Sequence, residues 1–533
     1  ILHPYHDWHD DLAEEYFNQF PDAAASYQYE AQDSLKAVTA KHALINDIYK
    51  GKTFHQEPLY TYMLAITYAI FGPDVQWVYF WQILLAAFTS VLVFLIGRHF
   101  FGSLCGLIAA LFVTFCASIM VYELVLLRTT LTNFLTVLLL YLFIRAMSNP
   151  DWKQHLFFGI ASGFALLAQT YFILFLLPAW IWLIWMQRKT GKSVAINSLT
   201  YIGALLVVMS PLFIRNIRAG VPIAASASHG AMAYIPMNIQ NAYPMESFYV
   251  HMPSLARIRH DSDGKMIPAM ILSLKTFDSI DAFWKIYKQK FGGLFMWYEI
   301  PNNMNYYLHR EIAPFLKLMP VRYFFIAPLG LAGLLLGLWR YRWRMMPLVL
   351  MTIVSIIPML IAGDFARYRT PLVIMMCLFA AFFIIEILTL FYQKNSKIAF
   401  IGIGIALLAL VFTVSSVEKK QFVYNVSDFD PFYRHFYMDR LIKYEEESNY
   451  QEYLNTTTMM VEDIPDYYLK VPANQRIVKS NEAQTSSLVA NYLENHYNIL
   501  TFLEKNQEAA FYKERMTSLR ARAEDFNKRV GIQ

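Results

Sequence analysis

Between residues 75 and 417, about ten apolar stretches of membrane-spanning length alternate with polar gaps, and positive charge collects in every second gap. The cationic gaps hold Arg98; Arg145 and Lys153; Arg188, Lys189 and Lys192; Arg340, Arg342 and Arg344; and Lys394 and Lys397. A bilayer sorts short loops by their Lys and Arg content, so these gaps belong together on the cytoplasmic side. The other gaps then share the outer side: residues 1–57, the 123–128 corner, the 169–171 corner, the 215–320 stretch, 364–369 and everything after 418. That outer set contains the acidic and aromatic clusters of the chain.

The pattern predicts an all-α polytopic transmembrane bundle. A backbone in hydrocarbon must satisfy its own hydrogen bonds, and about 20 residues are needed to cross. The 533-residue chain is 56% hydrophobic, above the roughly 45–50% of soluble domains. The predicted spans are 75–97, 103–122, 125–145, 155–171, 172–187, 194–214, 321–339, 345–363, 371–391 and 398–417. No apolar run of spanning length precedes residue 58, so a first span ahead of Ile1, or a cleaved signal peptide, is expected. Residues 58–72 are apolar but short and end at Gly72-Pro73; they read as a helix lying in the outer headgroup region, opened by Pro58.

Three regions result: a first outer loop, 1–57; a membrane core, 58–417, with a large outer loop at 215–320; and an outer helical domain, 418–533. In the last, segments 431–447, 450–462, 481–503 and 505–528 read as amphipathic helices, either tetratricopeptide-like hairpins or an irregular cap. Cys105, Cys116 and Cys377 fall inside apolar spans and read as packing residues. The net charge of +5 is accounted for by the cytoplasmic anchors and gives no sign of nucleic-acid binding.

The outer gaps supply the groups suited to chemistry. His3, His6 and His9 recur at every third position among Asp7, Asp10 and Asp11, either a metal-binding set or a solvated helix start. Glu30 and Asp33 follow, then His55 and Glu57 directly before Pro58. A carboxylate there lies in the positive field of a helix N-terminus, stays ionised, and is suited to take a proton or hold a divalent ion; capping of the helix is the alternative. Tyr122-Glu123 ends one span, and Arg128 lies inside the next, where an unpaired charge is costly; Glu123 or a bound anion is its expected partner.

Arg367, Tyr368 and Arg369 at headgroup depth form a seat for a lipid-borne phosphate, because the guanidinium fork matches phosphate oxygens. On the outer side they run against the charge bias, as do Arg215 and Arg218. The 215–320 stretch is too long for an idle connector. Its Tyr298-Glu299 pair precedes Asn302 and Asn303, amides suited to sugar hydroxyls or to turns. Neither a P-loop nor a dinucleotide fingerprint is present, so no nucleotide cofactor is expected and activation has to arrive on a lipid-linked donor.

Taken in order, FHQEPLYTYMLAITYAIFG (54–72), LIGRHFFG (95–102), VYELVLLRTTL (121–131), LFIRN (212–216), WYEIPNNMNYYL (297–308), APLGLAGLLLG (327–337) and ARYRTPL (366–372) resemble the GT-C class of polytopic glycosyltransferases. The similarity is to the bacterial branch related to protein O-mannosyltransferases and aminoarabinose transferases, some of which end in tetratricopeptide repeats. The resemblance implies a multi-pass enzyme of the bacterial inner membrane. It would transfer a sugar from polyprenyl phosphate to a protein, lipid or glycan at the outer face, with inversion.

The resemblance further implies a first-loop carboxylate as base: Asp33 first and Glu30 second, with Glu57 at the acidic position before Pro-Leu-Tyr. The spacing from Asp33 to Gly51 is several residues longer than the family's. Arg367 and Arg369, flanking Tyr368, would hold the departing phosphate with Arg128, and His55, Glu123, Arg215, Asn302 and Asn303 would meet substrate. Some members of the class use a divalent cation, Mg or Mn being candidates. Expected partners are membrane lipids, the lipid-linked sugar, its acceptor, and a protein bound through 418–533. The competing expectation is a non-catalytic GT-C-like subunit that binds partners through its tail. A transporter would place ionisable groups in mid-span, whereas here nearly all sit at span ends.

Overall fold

The computed structural model describes residues 13–14, 16–49, 52–190, 194–240, 252–300, 306, 309–310, 313–363, 365–415, 437–462 and 480–530. It is all-α, and among the described residues the one β feature is an isolated bridge between Cys116 and Val321. The chain divides into two compact units. The first comprises Ile1–Pro244, His251–Glu299 and Arg310–Val417; the second comprises Met245–Val250, Ile300–His309 and Glu418–Gln533.

The first unit begins with α1 (Pro21–Ser26), α2 (Ser34–Tyr49), α3 (Leu59–Phe71), α4 (Gln76–Phe101), α5 (Ser103–Thr114) and α6 (Ala117–Glu123). It continues with α7 (Thr129–Ser148), α8 (Trp152–Ala168), α9 (Ile173–Thr190) and α10 (Val194–Ala219). Helices α11 (His229–Tyr234), α12 (Met252–Asp261), α13 (Met266–Leu274) and α14 (Ile280–Phe295) precede α15 (Tyr323–Tyr341), α16 (Met346–Ala362), α17 (Ala366–Tyr392) and α18 (Ser396–Ser415).

Seven helical stretches among the described residues are long and apolar enough to cross a membrane. One of them, Tyr323–Ile361, holds two expected spans, α15 and α16, joined by a tight turn in which Arg342 has φ 46°. The expected span 103–122 is interrupted. Cys116 is extended, and the Ala117 N–H donates to Val321 O at 3.1 Å, which ends α5 and restarts the chain as α6. The expected spans 155–171 and 172–187 correspond to α8 and α9, parted at the extended Gln169.

Helix α17 is the centre of the bundle: Leu372, Met376, Phe379 and Ala380 are all fully enclosed. A helix apolar around its whole circumference has to be surrounded by others. Helix α15 reaches it through small residues, and a Cβ on Gly333 would stand 2.0 Å from Phe379 O. In contrast α10 and α18 turn Val207 and Leu408 outward, as lipid-facing helices do.

A separate layer at one end of the bundle joins α2 with α11–α14 around Leu44, Tyr234, Ile235, Ile258 and Ile286. It is fastened to the end of α16 by a buried polar clamp. Lys290 Nζ donates to Asn238 Oδ1 at 2.8 Å and to Leu360 O at 2.6 Å, while Asn238 Nδ2 donates to Ile361 O at 2.8 Å. A cation thereby meets the negative end of α16 just before the 363–369 segment.

The second unit contains α19 (Asp439–Glu446), α20 (Tyr450–Glu462), α21 (Ser480–Phe502) and α22 (Asn506–Val530). They enclose Leu441, Met460, Val489, Leu493 and Leu519. His496 is buried among them, 2.9 Å from Thr457 Oγ1 and edge-on to Tyr512.

Candidate active site

Glu57 does not cap α3, which has no side-chain cap at its start. Its carboxylate turns toward the bundle, where Arg128 Nη1 donates to Oε2 at 2.5 Å. The Thr170 N–H and Oγ1 both donate to Oε1, each at 3.2 Å. A hydroxyl has one proton, so Ser226 Oγ donates in turn to Thr170 Oγ1 at 2.7 Å. With side chains only 20% and 13% exposed, Arg128 and Glu57 hold each other with little water between.

The expected pairing of Arg128 with Glu123 is thereby corrected: the counter-ion is Glu57. Arg128 is the N-cap of α7, not a residue of its interior, and faces across to the 52–57 turn. Glu123 ends α6 and is turned by Gln82, a fully buried residue of α4. Gln82 Nε2 donates to Glu123 O at 2.9 Å and Val125 O at 3.1 Å, and its Oε1 accepts from Tyr60 Oη at 2.8 Å. No cation partners the Glu123 carboxylate among the described residues, and burial pushes its carboxyl up to about 7.

Arg215 clamps the turn that carries His55 and Glu57. Its Nη2 donates to Lys52 O at 2.5 Å, and the guanidinium lies 4.3 Å from the Phe54 ring centroid. The fully buried Asn216 fastens the following loop through Ile223 O at 2.9 Å and Ala225 O at 2.8 Å. The Ser228 N–H donates to Phe54 O at 2.8 Å, so the two loops close on each other beside His55.

Arg367 and Arg369, equivalent as sequence, occupy different environments. Arg369 is 1% exposed. Its Nη1 donates to Met296 O at 2.7 Å, and its Nη2 to Tyr298 O at 3.0 Å and Glu299 Oε2 at 2.8 Å, over the face of Tyr323. Ser118 Oγ donates to the other oxygen of Glu299. The expected phosphate contact of Arg369 therefore meets a guanidinium engaged inside the protein, at the end of α14. Arg367 is half-buried, stacks 4.5 Å from the Tyr368 ring centroid, and donates to Tyr368 Oη. It carries no carboxylate partner among the described residues.

A direct bond ties the two arginine-bearing helices: Thr370 Oγ1 donates to Asn133 Oδ1 at 2.8 Å. Asn133 is about one and a half turns from Arg128, and Thr370 less than one turn from Arg367. Glu57, Glu123, Arg128, Arg215 and Arg367 thus lie at one end of the bundle.

Asp33 and Glu30 lie at the start of α2. Asp33 Oδ1 accepts from the Leu35 and Lys36 N–H groups, both at 3.1 Å, and caps α2; Glu30 pairs with Lys36 at 2.7 Å on the surface. Among the described residues, no hydrogen bond or ion pair joins either to Glu57 or Arg367. Asn302, Asn303 and Asp364, and the His3, His6 and His9 series, lie outside the described residues. Among the described residues, no group of three or more His, Cys, Asp or Glu side chains is gathered in a way that fits a metal ion. Gln82, Lys290 and the role of Glu299 were not expected from sequence. An amide six residues into an apolar helix was the available signal for Gln82.

A family model described as dolichyl-phosphate-mannose-protein mannosyltransferase matches residues 55–214. Among solved structures, the archaeal oligosaccharyltransferase AglB from Archaeoglobus fulgidus, in complex with an inhibitory peptide and a dolichol-phosphate, is similar at 14% identity with a TM-score of 0.34. The similarity covers 68% of this chain, which spans 47% of that one. No curated protein matches. The segment matched by the family model carries His55, Glu57, Gln82, Glu123 and Arg128, and it bears out the resemblance of this chain to the GT-C class of membrane glycosyltransferases.

Proposed function

We propose that the protein transfers a sugar from a polyprenyl-phosphate donor to a protein, lipid or glycan acceptor at the outer membrane face. The observation that carries this reading is the convergence of the Glu57–Arg128–Thr170 knot with the half-buried Arg367–Tyr368 pair at one end of the bundle. The description of the matching family, with its dolichyl-phosphate-mannose donor, supports the same class of donor.

In the proposed reaction an acceptor hydroxyl attacks the anomeric carbon as the bond to the phosphate oxygen breaks. The phosphate leaves with the bonding pair, and a single in-line displacement inverts the configuration. Arg367 is assigned to the leaving phosphate, where a preorganised cation stabilises the charge that develops. Arg128, neutralised by Glu57, is assigned to shaping the floor. Of the first-loop carboxylates, Glu30 is occupied by Lys36 and Glu57 by Arg128, while Asp33 caps α2 through Oδ1. Asp33 is assigned the proton on the resemblance to the GT-C class, with Glu123, His55 and Arg215 placed around the sugar. No step is assigned to a metal.

The test uses the full chain in proteoliposomes with a panel of synthetic polyprenyl-phosphate hexoses, following release of polyprenyl phosphate. Asp33→Asn should lower kcat by about 10²–10⁴-fold at unchanged donor KM, and Arg367→Gln should raise donor KM. If turnover survives separate replacement of Asp33, Glu57 and Glu123, the catalytic reading is lost and the non-catalytic subunit stands.

A further inference from the structure

A cavity of about 310 Å³ opens between the last turns of α4 and α7 and the turn from α15 to α16. Its walls include His99, Phe100, Ser148, Tyr341, Trp343 and Arg344. Helix α7 has 20 residues, so at about 1.5 Å per residue Ser148 stands roughly 30 Å from Arg128. That distance is the thickness of a bilayer's hydrocarbon core, which puts the cavity at the opposite end of the bundle from the candidate active site.

The recess is built rather than incidental. Tyr341 is held by Phe101 at 5.8 Å and Phe382 at 5.7 Å between ring centroids, and Phe101 stacks on Phe382 at 4.5 Å. Gly337 leaves room for Met345 beneath the turn, since a Cβ there would stand 2.7 Å from Met345 Cε. Arg342 takes φ 46° and ψ −119°, a conformation that costs a non-glycine residue and persists only where its surroundings enforce it. The reversal it makes turns the chain back so that Trp343 and Arg344 line the recess.

The electrostatics favour an anion. Arg340 is taken up by Glu386, whereas Arg98, Arg145, Arg342 and Arg344 have no ion-pair partner among the described residues. Glu386 and Asp151 are the carboxylates on these helix ends. The ligand also has to be at home in a membrane. Trp339 and Trp343 are 62% and 79% exposed at this level, as aromatic residues of the headgroup zone are. The volume is at the low end of the roughly 300–1,000 Å³ of small-molecule sites, the scale of a phosphate with its glycerol.

We propose that this recess binds the phosphate of an anionic phospholipid, with Arg344 and His99 facing the phosphodiester and Phe100 and Met147 facing the start of the acyl chains. The shared chemistry is a phosphate anion, and the experiment separates a lipid source from a dissolved one. Full-length protein in nanodiscs is titrated with short-chain phosphatidylglycerol, short-chain phosphatidylcholine or inorganic phosphate. The readouts are tryptophan fluorescence and lipid retention in native mass spectrometry. Phosphatidylglycerol should bind and be retained in preference to phosphatidylcholine. Arg344→Gln should weaken it about fivefold and Arg344→Glu about 25-fold, the scale of one and two charges at an anionic surface. His99→Gln should weaken it in the same direction. Lys397→Gln, an exposed cation at the same end but outside the recess, should stay within about twofold. Equal binding of the two lipids, or Arg344→Glu and His99→Gln behaving like Lys397→Gln, overturns the site. Inorganic phosphate binding as tightly as phosphatidylglycerol overturns the lipid assignment.

Discussion

Gln82→Leu removes one fully buried amide and with it three hydrogen bonds: the one from Tyr60 Oη at 2.8 Å and those to Glu123 O and Val125 O at 2.9 and 3.1 Å. Leucine keeps the shape of the site, so the cost is polar. At about 1 kcal/mol net per bond the loss is about 3 kcal/mol, more if the stranded carbonyls find no water. For a chain of this size, with an unfolding entropy of about 2.1 cal/mol/K per residue, that corresponds to a melting temperature lower by roughly 3 °C. The same bonds hold the corner between Glu123 and Arg128, and a displacement of about 1 Å there is expected to lower kcat about 100-fold. Donor KM should hold within about threefold, because Arg367 belongs to α17, while the hydrogen bonds of Gln82 run to Tyr60, Glu123 and Val125.

Gln82→Glu separates the terms, since it retains the acceptor for Tyr60 and loses both donors to the corner; its kcat should fall at least as far as that of Gln82→Leu. Thr89→Val, which removes only a bond to Leu85 O within α4, is the control and should leave kcat unchanged. The measurements are thermal melting in detergent and polyprenyl-phosphate release from the hexose donors. A Gln82→Leu protein that melts low yet turns over at the native rate would show that the corner's position does not matter to the chemistry, and the reasoning would fail.

Arg369→Gln should destabilise the protein by about 3–5 kcal/mol, because it strands the buried Glu299. Arg367→Gln should leave the melting temperature within a degree or two and weaken donor binding; the reverse pattern in paired melting and donor-binding assays would invert the two assignments. Glu57→Gln should cost about 2–3 kcal/mol, below the value for a fully buried pair because both side chains keep some exposure. Reversing the pair, Glu57→Arg with Arg128→Glu, should fail to restore stability, because Thr170 would then aim two donors at a cation; full rescue would mean that Thr170 does not take part.

The second unit should loosen in acid. Burial holds the His496 imidazole down to about 4 from the ordinary 6.5. The unfolded chain therefore binds the extra proton first, and stability falls as pH drops from about 6.5 toward 4, by up to about 3 kcal/mol. Hydrogen exchange in α20–α22, corrected for intrinsic rates, should speed up over that window, and His496→Gln should flatten the dependence. A pH-independent opening free energy in the native protein would contradict the assigned environment.

Periodicity and charge alternation were enough to read the helical membrane architecture, and the gathering of Glu57, Glu123, Arg128 and Arg367 at one end of the bundle was legible from span ends alone. These are one-dimensional properties: a helix closes its own hydrogen bonds, and a bilayer acts on each segment separately. The break at Cys116 was not legible, because it is made by a partner, Val321, distant in the chain. Partner choice escaped for the same reason. Arg128 had a carboxylate five residues away and took one 71 residues away. Arg367 and Arg369 share one short motif, yet one enters the core and the other stays at its edge. Sequence alone determined which chemical groups gather at which end of the helical bundle, since local polarity decides that. Only the tertiary structure decided which cation neutralises which carboxylate and which arginine is left without one, because a buried charge is matched by whatever the packed fold brings within about 3 Å of it.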